Sequence, residues 1–442
     1  MFMNKIFKIL PFILLFIFIV LFNLLLVPNN LDEVWNYGFS YAIRIGEVPY
    51  KDFNMVITPL YSFIMSIPLL IKNNYLSFIL FHSFITTIEF FLLSKIINKK
   101  VYIILLISLM FFPLIYPTYN SFFLFLMVVI CYLEKIDFKY KDYILGFLIA
   151  CCILTKQSVG IFYIIPSLLF IKKNNISIFK RFIGFIIPNF IFLIYLLITN
   201  SLYSFFDLCL FGLFDFSGNS NGISVSFIIF IIILFISIYI VFKNKNLIIN
   251  YYIILSYLLY VPLFDNLHLF YVIFSFCLLI LINTSKFKFK YELLFYPCLI
   301  GIVIIYGRSV NITNYSKNNL NHFEYKNISL ESVNYSNSII SYIKDNDSII
   351  YNDDAYFYRI CSNQKIGHLD LLNHGNHGYN GSKKIINLIK KNKNKKYLIQ
   401  KDLKRRIESF ETQMDYEGYK YIVNNAKKIG EVEDYYIYSF EE

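Results

Sequence analysis

Long apolar runs follow one another through the first 308 residues with only short breaks, and this limits the possible folds more than any motif does. The runs lie at 6–28, 76–94, 101–117, 119–134, 142–156, 158–171, 179–199, 223–242, 247–264, 267–284 and 291–307. A helix of about 20 residues crosses the hydrocarbon layer of a bilayer. Within that layer only helices and closed barrels satisfy every backbone polar group. A polytopic α-helical membrane protein with about eleven transmembrane helices is therefore expected. The composition agrees: 57% of the 442 residues are hydrophobic and mean hydropathy is +0.56, more than soluble domains carry. The first run is too long for a signal-peptide core and lacks a small-residue cleavage site, so it is expected to stay as a helix.

The cations orient the helices. Connectors rich in Lys or Arg hold Lys5/Lys8, Lys95/Lys99/Lys100, Lys135/Lys139/Lys141, Lys172/Lys173 with Lys180/Arg181, Lys243/Lys245, and Lys286/Lys288/Lys290. With eleven spans and a cytoplasmic N-terminus, all of these fall on the cytoplasmic side, as basic connectors do. That accounts for much of the net charge of +12 without nucleic acid. The same count puts the loop 29–75 and everything after Arg308 outside. Within the loop, Leu60 to Ile71 is apolar but too short to span, contains Pro68, and is read as a helix lying in the outer interface. Glu33 to Ile45 is read as a second interfacial helix with Asp32 as its N-cap. Abundant Asn, Lys, Ile, Tyr and Phe with scarce Trp suggest an AT-rich bacterial genome, hence a bacterial cell membrane. Of the seven cysteines only Cys361 lies outside the apolar part, so no disulfide framework or zinc pattern arises.

Beyond residue 308 the chain turns polar. Residues 309–337, rich in Asn, read as a linker, and 338–442 as a small external α/β domain. Helices are expected at SIISYIKDN (338–346) and Lys383 to Lys391, and strands at SIIYND (348–353), KYLIQ (396–400) and DYYIYSF (434–440). His368, His374 and His377 lack the i, i+4 spacing of a helical metal pair.

The residues with chemical potential cluster in the outward connectors. Asp32 and Glu33 follow the first span, where water solvates them freely. A carboxylate there suits a general base that takes a proton from an acceptor hydroxyl or amine, although capping a helix is a sufficient role for Asp32. Gly46, Pro49 and Pro59 divide the loop into turns of the kind that hold a site rigid. Lys156 is a lone cation at the outer end of an apolar run; such residues usually line a polar cavity or snorkel to the interface. His82, Thr86 and Glu89 share one helix face.

An acidic pair just after the first span, an aromatic residue soon after, a Gly, and Pro59-Leu60 before an interfacial helix together resemble the GT-C glycosyltransferases. The pattern is most similar to protein O-mannosyltransferases and lipid A aminoarabinose transferases. LTKQSVG (154–160) resembles the family's Leu-Thr-Lys segment, and Asp265 with His268 resembles the entry to a late span. The resemblance implies transfer of a sugar from a polyprenyl-phosphate carrier to a cell-envelope glycan, lipid or protein on the outer face. Asp32 would then be the catalytic base and Glu33 its neighbour orienting the loop or acceptor. Lys156, with His82 or His268, would hold the donor phosphate, and Asp265 and Trp35 would contact the donor or acceptor. His82 stands where the family commonly has Arg, and Asn120 where many members carry a second Asp; Asp52 could supply that acid. No cofactor is required, though phosphate and carboxylates together could recruit a divalent cation. The rival readings are a flippase or transporter of lipid-linked sugars, and an envelope polymerase or ligase.

Overall fold

The computed structural model describes residues 2–25, 31–97, 115–169, 175–212, 225–243, 248–261, 264–283, 337–353, 355–409, 412 and 414–441, with the backbone alone at 2–8, 22, 24–25, 31–33, 169, 267, 337 and 374. The apolar part forms α1 (Phe2–Leu25), α2 (Leu31–Arg44), α3 (Leu60–Ile71), α4 (Tyr75–Ile97), α5 (Tyr119–Lys135), α6 (Lys141–Thr155), α7 (Asn175–Ile198), α8 (Val225–Lys243), α9 (Ile248–Leu255) and α10 (Asn266–Asn283). Short helices follow α6 at Gln157–Gly160 and Ile164–Leu169, and α7 at Leu202–Phe206. Among the described residues α4, α7 and α8 are long and apolar enough to cross a membrane; several shorter apolar helices accompany them. The runs at 101–117 and 291–307 lie wholly or mostly outside the described residues, as does the linker 309–337. Helix α2 begins at Leu31, two residues before the expected start at Glu33, so Asp32 sits inside its first turn rather than at the cap.

The chain divides into two compact units. The first comprises 1–25, 79–192 and 220–317; the second comprises 26–78, 193–219 and 318–442. The C-terminal region thus shares a unit with the first loop and with residues 193–219.

In the first unit, glycines and polar pairs replace the hydrophobic drive that is missing between helices in lipid. A Cβ on Gly146 would lie 2.0 Å from the Arg181 carbonyl oxygen, and one on Gly184 2.0 Å from that of Tyr143. α6 and α7 therefore cross backbone to backbone. Asn250 of α9 and Asn283 of α10 exchange amide hydrogen bonds of 3.0 and 3.3 Å, and Ser256 donates to Ser275 at 2.7 Å. At the far end of α5, Arg181 bonds Glu134 at 3.0 Å and Asp142 at 2.9 Å, while Lys135 donates to the Ile96 carbonyl at the end of α4. Three of the basic connectors thus meet at one end of the helix layer, the arrangement expected if all three share a side of the membrane.

In the second unit, the C-terminal part forms α11 (Asn337–Asp345), β1 (Ser348–Tyr351), α12 (Ala355–Cys361), α13 (Gly381–Lys391), β2 (Lys396–Gln400), α14 (Leu403–Glu408), α15 (Tyr416–Asn425), β3 (Lys427–Val432) and β4 (Tyr435–Ser439). The sheet order is β1-β2-β4-β3. β1 and β2 are parallel, joined by a crossover that contains α13, and the other neighbours are antiparallel. Ile349, Tyr351, Ile385, Ile389, Tyr397 and Ile422 form its core. The first loop packs on this domain: α2 passes so close that a Cβ on Gly38 would lie 2.7 Å from the Tyr356 ring.

Candidate functional site

Four of the residues singled out from sequence come together in the first unit. Thr118 caps α5, accepting from the Ser121 N–H at 3.3 Å in a capping box. This cap sets Asn120, fully buried, in the first turn. α6 ends at Thr155, and Lys156 is extended (φ −149°, ψ 95°) before the short helix 157–160 begins. Gly160 permits this break: a Cβ there would lie 2.4 Å from the Cys152 carbonyl carbon. Interrupted helices at membrane depth are tolerated where they are buried in protein or line a cavity.

The break aims the Lys156 ammonium at Asn120 Oδ1, 2.8 Å away, with the Tyr119 ring 5.3 Å from the charge. Asn120 Nδ2 in turn lies 3.4 Å from His268 Nε2. His268 opens α10; its backbone N–H donates to Asp265 Oδ1 at 2.7 Å, and its Nδ1 lies 2.8 Å from Oδ2. The partners define the direction of the chain. Lys156 can only donate, so Asn120 presents its oxygen to Lys156 and its NH2 to His268. The imidazole then accepts at Nε2 and carries its proton on Nδ1, toward Asp265. Burial pushes the Asp265 carboxyl up, but the hydrogen bonds from the His268 ring and backbone N–H, with the Lys156 charge nearby, outweigh it and hold the group below the ordinary carboxylate range. The side chain of Asp265 is half-exposed, whereas Lys156, Asn120 and His268 are buried. Tyr271, one turn beyond His268, meets Thr118 at 3.2 Å between hydroxyls and locks α10 to the α5 cap.

A buried ammonium that an amide and an aromatic face hold in place, backed by an imidazole and a carboxylate, is suited to grip an anion. The cluster lies about 20 Å along α5 from the Arg181–Glu134 rivet, at 1.5 Å per residue. It therefore occupies the end of the helix layer opposite the basic connectors.

The remaining candidates have other surroundings. His82 Nε2 donates to the Ile115 carbonyl, 3.0 Å away, tying α4 to the start of the next described segment, and the Thr86 hydroxyl donates to the His82 carbonyl within α4. Asp32 and Glu33 lie in the first turn of α2 in the second unit, and their side chains are outside the described residues. Trp35, also in α2, is half-buried, and its Nε1–H has no hydrogen-bond partner among the described residues. Asp52 closes its own turn, accepting the Val48 N–H at 2.7 Å. The described residues contain no group of three or more His, Cys, Asp or Glu that could hold a metal; His368 and His377 instead bond the Asn54 amide.

Tyr119, Thr118 and Tyr271 escaped the sequence reading. In a chain with 38 tyrosines no single one stands out; the capping pattern Thr118-x-x-Ser121 was the available signal. Comparison of the chain with protein-family models, with curated proteins and with solved structures returned no match.

Proposed function

We propose that the chain is a polytopic GT-C-like glycosyltransferase of the bacterial cell membrane. It moves a sugar from a polyprenyl-phosphate carrier to an envelope glycan, lipid or protein on the outer face. The proposal includes about eleven spans, a cytoplasmic N-terminus and an extracytoplasmic C-terminal domain. Asp32 takes the proton of the acceptor hydroxyl as that oxygen attacks the anomeric carbon, and the sugar–phosphate bond breaks with its electrons leaving on the carrier phosphate. Lys156, steadied by Asn120, neutralises the departing phosphate, where charge develops and stabilisation is most effective. His268, oriented by Asp265, is a further contact of that phosphate. Glu33 orients the loop or acceptor.

The observation that carries the reading is the hydrogen-bonded chain from the buried Lys156 through Asn120 and His268 to Asp265. An ionisable group at membrane depth is expensive and usually functional, and this one is oriented by three side chains from two other segments. Membranes supplied with labelled polyprenyl-phosphate sugars test it. Wild type should release free carrier phosphate, while Lys156→Met and Asp32→Asn should each lower the rate by at least about 100-fold, as loss of a charge-stabilising group or a general base does. Equal release from wild type and both variants would remove the proposed chemistry.

One observation favours transport as a second reading. Glu89 of α4 is 1% exposed, and its Oε1 has no hydrogen-bond partner among the described residues. A carboxyl of that kind inside a span is the usual mark of a coupled ion path. Sugar-dependent proton uptake into vesicles, lost in Glu89→Gln, would support it.

A further inference from the structure

The second unit holds a polar cleft that the membrane cluster does not use. Its volume is about 640 Å³ and it opens between the Glu47–Asp52 turn, the end of α11 and the segment Gln364–Asp370, within the size range of small-ligand sites. The turn is rigid. Gly46 (φ 93°) and Tyr50 (φ 69°) adopt left-handed backbone, and Tyr50, fully buried, donates its hydroxyl to the Ile57 carbonyl at 2.8 Å. Two carboxylates of this turn line the cleft. Glu47, only 7% exposed, accepts the Ile366 N–H at Oε2, and Asp52 accepts the Val48 N–H at Oδ2. The second oxygen of each carries no hydrogen bond among the described residues.

Several other charges of the cleft are already committed. Arg359 spends its donors on Asp370, Gln364 and the Ser348 carbonyl, Asp370 accepts the Gly367 N–H as well, and Lys395 pairs with Asp347. Acceptors at Glu47, Asp52 and Asp345 remain, with donors at Lys344 and Lys365, and the half-buried Leu369 and Leu388 add aliphatic lining. A strongly anionic ligand would meet the acids, and a strongly cationic one the lysines. A neutral molecule dense in hydroxyls meets acceptors and donors alike, and its C–H face suits the aliphatic lining.

We infer that this cleft binds a neutral saccharide segment, with Glu47 and Asp52 accepting from its hydroxyls and Lys344 and Lys365 donating to its oxygens. The inference rests on the transferase reading only in taking that saccharide as the acceptor; binding itself is measured without transfer.

The test uses the full chain in lipid nanodiscs and saturation-transfer NMR against short, neutral oligomers of glucose, mannose, galactose and N-acetylglucosamine, with polyphosphate and polylysine as charged controls. At least one neutral oligomer should bind. Measured at pH 8, Glu47→Gln and Asp52→Asn should each weaken it roughly tenfold or more, the effect of losing a hydrogen bond to a charged group. Leu388→Trp, which adds bulk to the cleft lining and leaves the acids in place, should block binding while the thermal unfolding profile is retained. Binding of no neutral oligomer, binding of the charged polymers alone, or binding that survives all three substitutions would overturn the inference. Lys156→Met separates the two proposals: it should abolish carrier-phosphate release and leave oligosaccharide binding intact. Loss of binding in Lys156→Met would overturn the independence of the cleft, and release without any binding would overturn the cleft alone.

Discussion

Glu47→Gln gives a calculable pH effect. Burial raises the Glu47 carboxyl from its ordinary value near 4.5 to about 7; the Ile366 N–H and Lys365 oppose that rise, and Asp52 and Asp370 add to it. Tyr41, whose own hydroxyl is raised chiefly by burial and partly by Glu47, is also close enough to feel the charge. Between pH 4.5 and 7 the folded chain therefore holds a proton that the unfolded chain has lost. Stability contributed by this group is present at low pH and declines as pH rises through that window, reaching a floor just above 7. The full shift corresponds to about 3 kcal/mol, and because the cleft is open to water about 1–2 kcal/mol is the realistic loss. Gln keeps an acceptor for Ile366 and cannot ionise. Unfolding free energies of wild type and Glu47→Gln, taken at pH 5 and pH 8, remove every other titrating group by difference. The variant's advantage over wild type should grow by about 1–2 kcal/mol from pH 5 to pH 8. An advantage independent of pH, or one that shrinks as pH rises, would refute the account of Glu47 as a carboxyl held neutral by its surroundings.

Two structural predictions concern the first unit. Gly146→Ala places a methyl 2.0 Å from the Arg181 carbonyl, so α6 and α7 must separate; a loss of about 2 kcal/mol or more, read as a lowered detergent melting temperature, is expected. Arg181→Met leaves Asp142 without its cation and Glu134 with only Lys141, 3.9 Å away, and should cost about 3 kcal/mol, whereas replacing Arg181, Glu134 and Asp142 together by Met, Leu and Leu should recover most of it, as a triple-variant melting series would show.

Much of the helical part was legible because it is a one-dimensional signal. Every predicted run that falls wholly within the described residues coincides with helix, since apolar length alone selects that conformation in lipid. The interfacial candidate Leu60 to Ile71 matches α3 in both bounds, Pro68 included. In the C-terminal part, β1, β2 and β4 carry alternating or continuous β-branched and aromatic residues and were read as strands. β3, KKIGEV, was missed because it is an edge strand with most of its residues exposed and two lysines at its start; its place comes from pairing with β4, not from its own pattern. Helix α12, AYFYRIC, was missed for the opposite reason: nearly every residue is buried, so no polar face marks a helical period.

What the sequence determined by itself is local: which stretches are apolar enough to become helices, where charge interrupts them, and which residue types stand at their ends. The meeting of Lys156 with Asn120 across 36 residues, and of Asn120 with His268 across 148, depends on how α5, α6 and α10 pack. Glu47 is likewise an ordinary loop acid until Ile366, 319 residues later, closes over it. Hydropathy is summed residue by residue along the chain, whereas desolvation and hydrogen bonding belong to neighbours in space; only the folded chain supplies those neighbours.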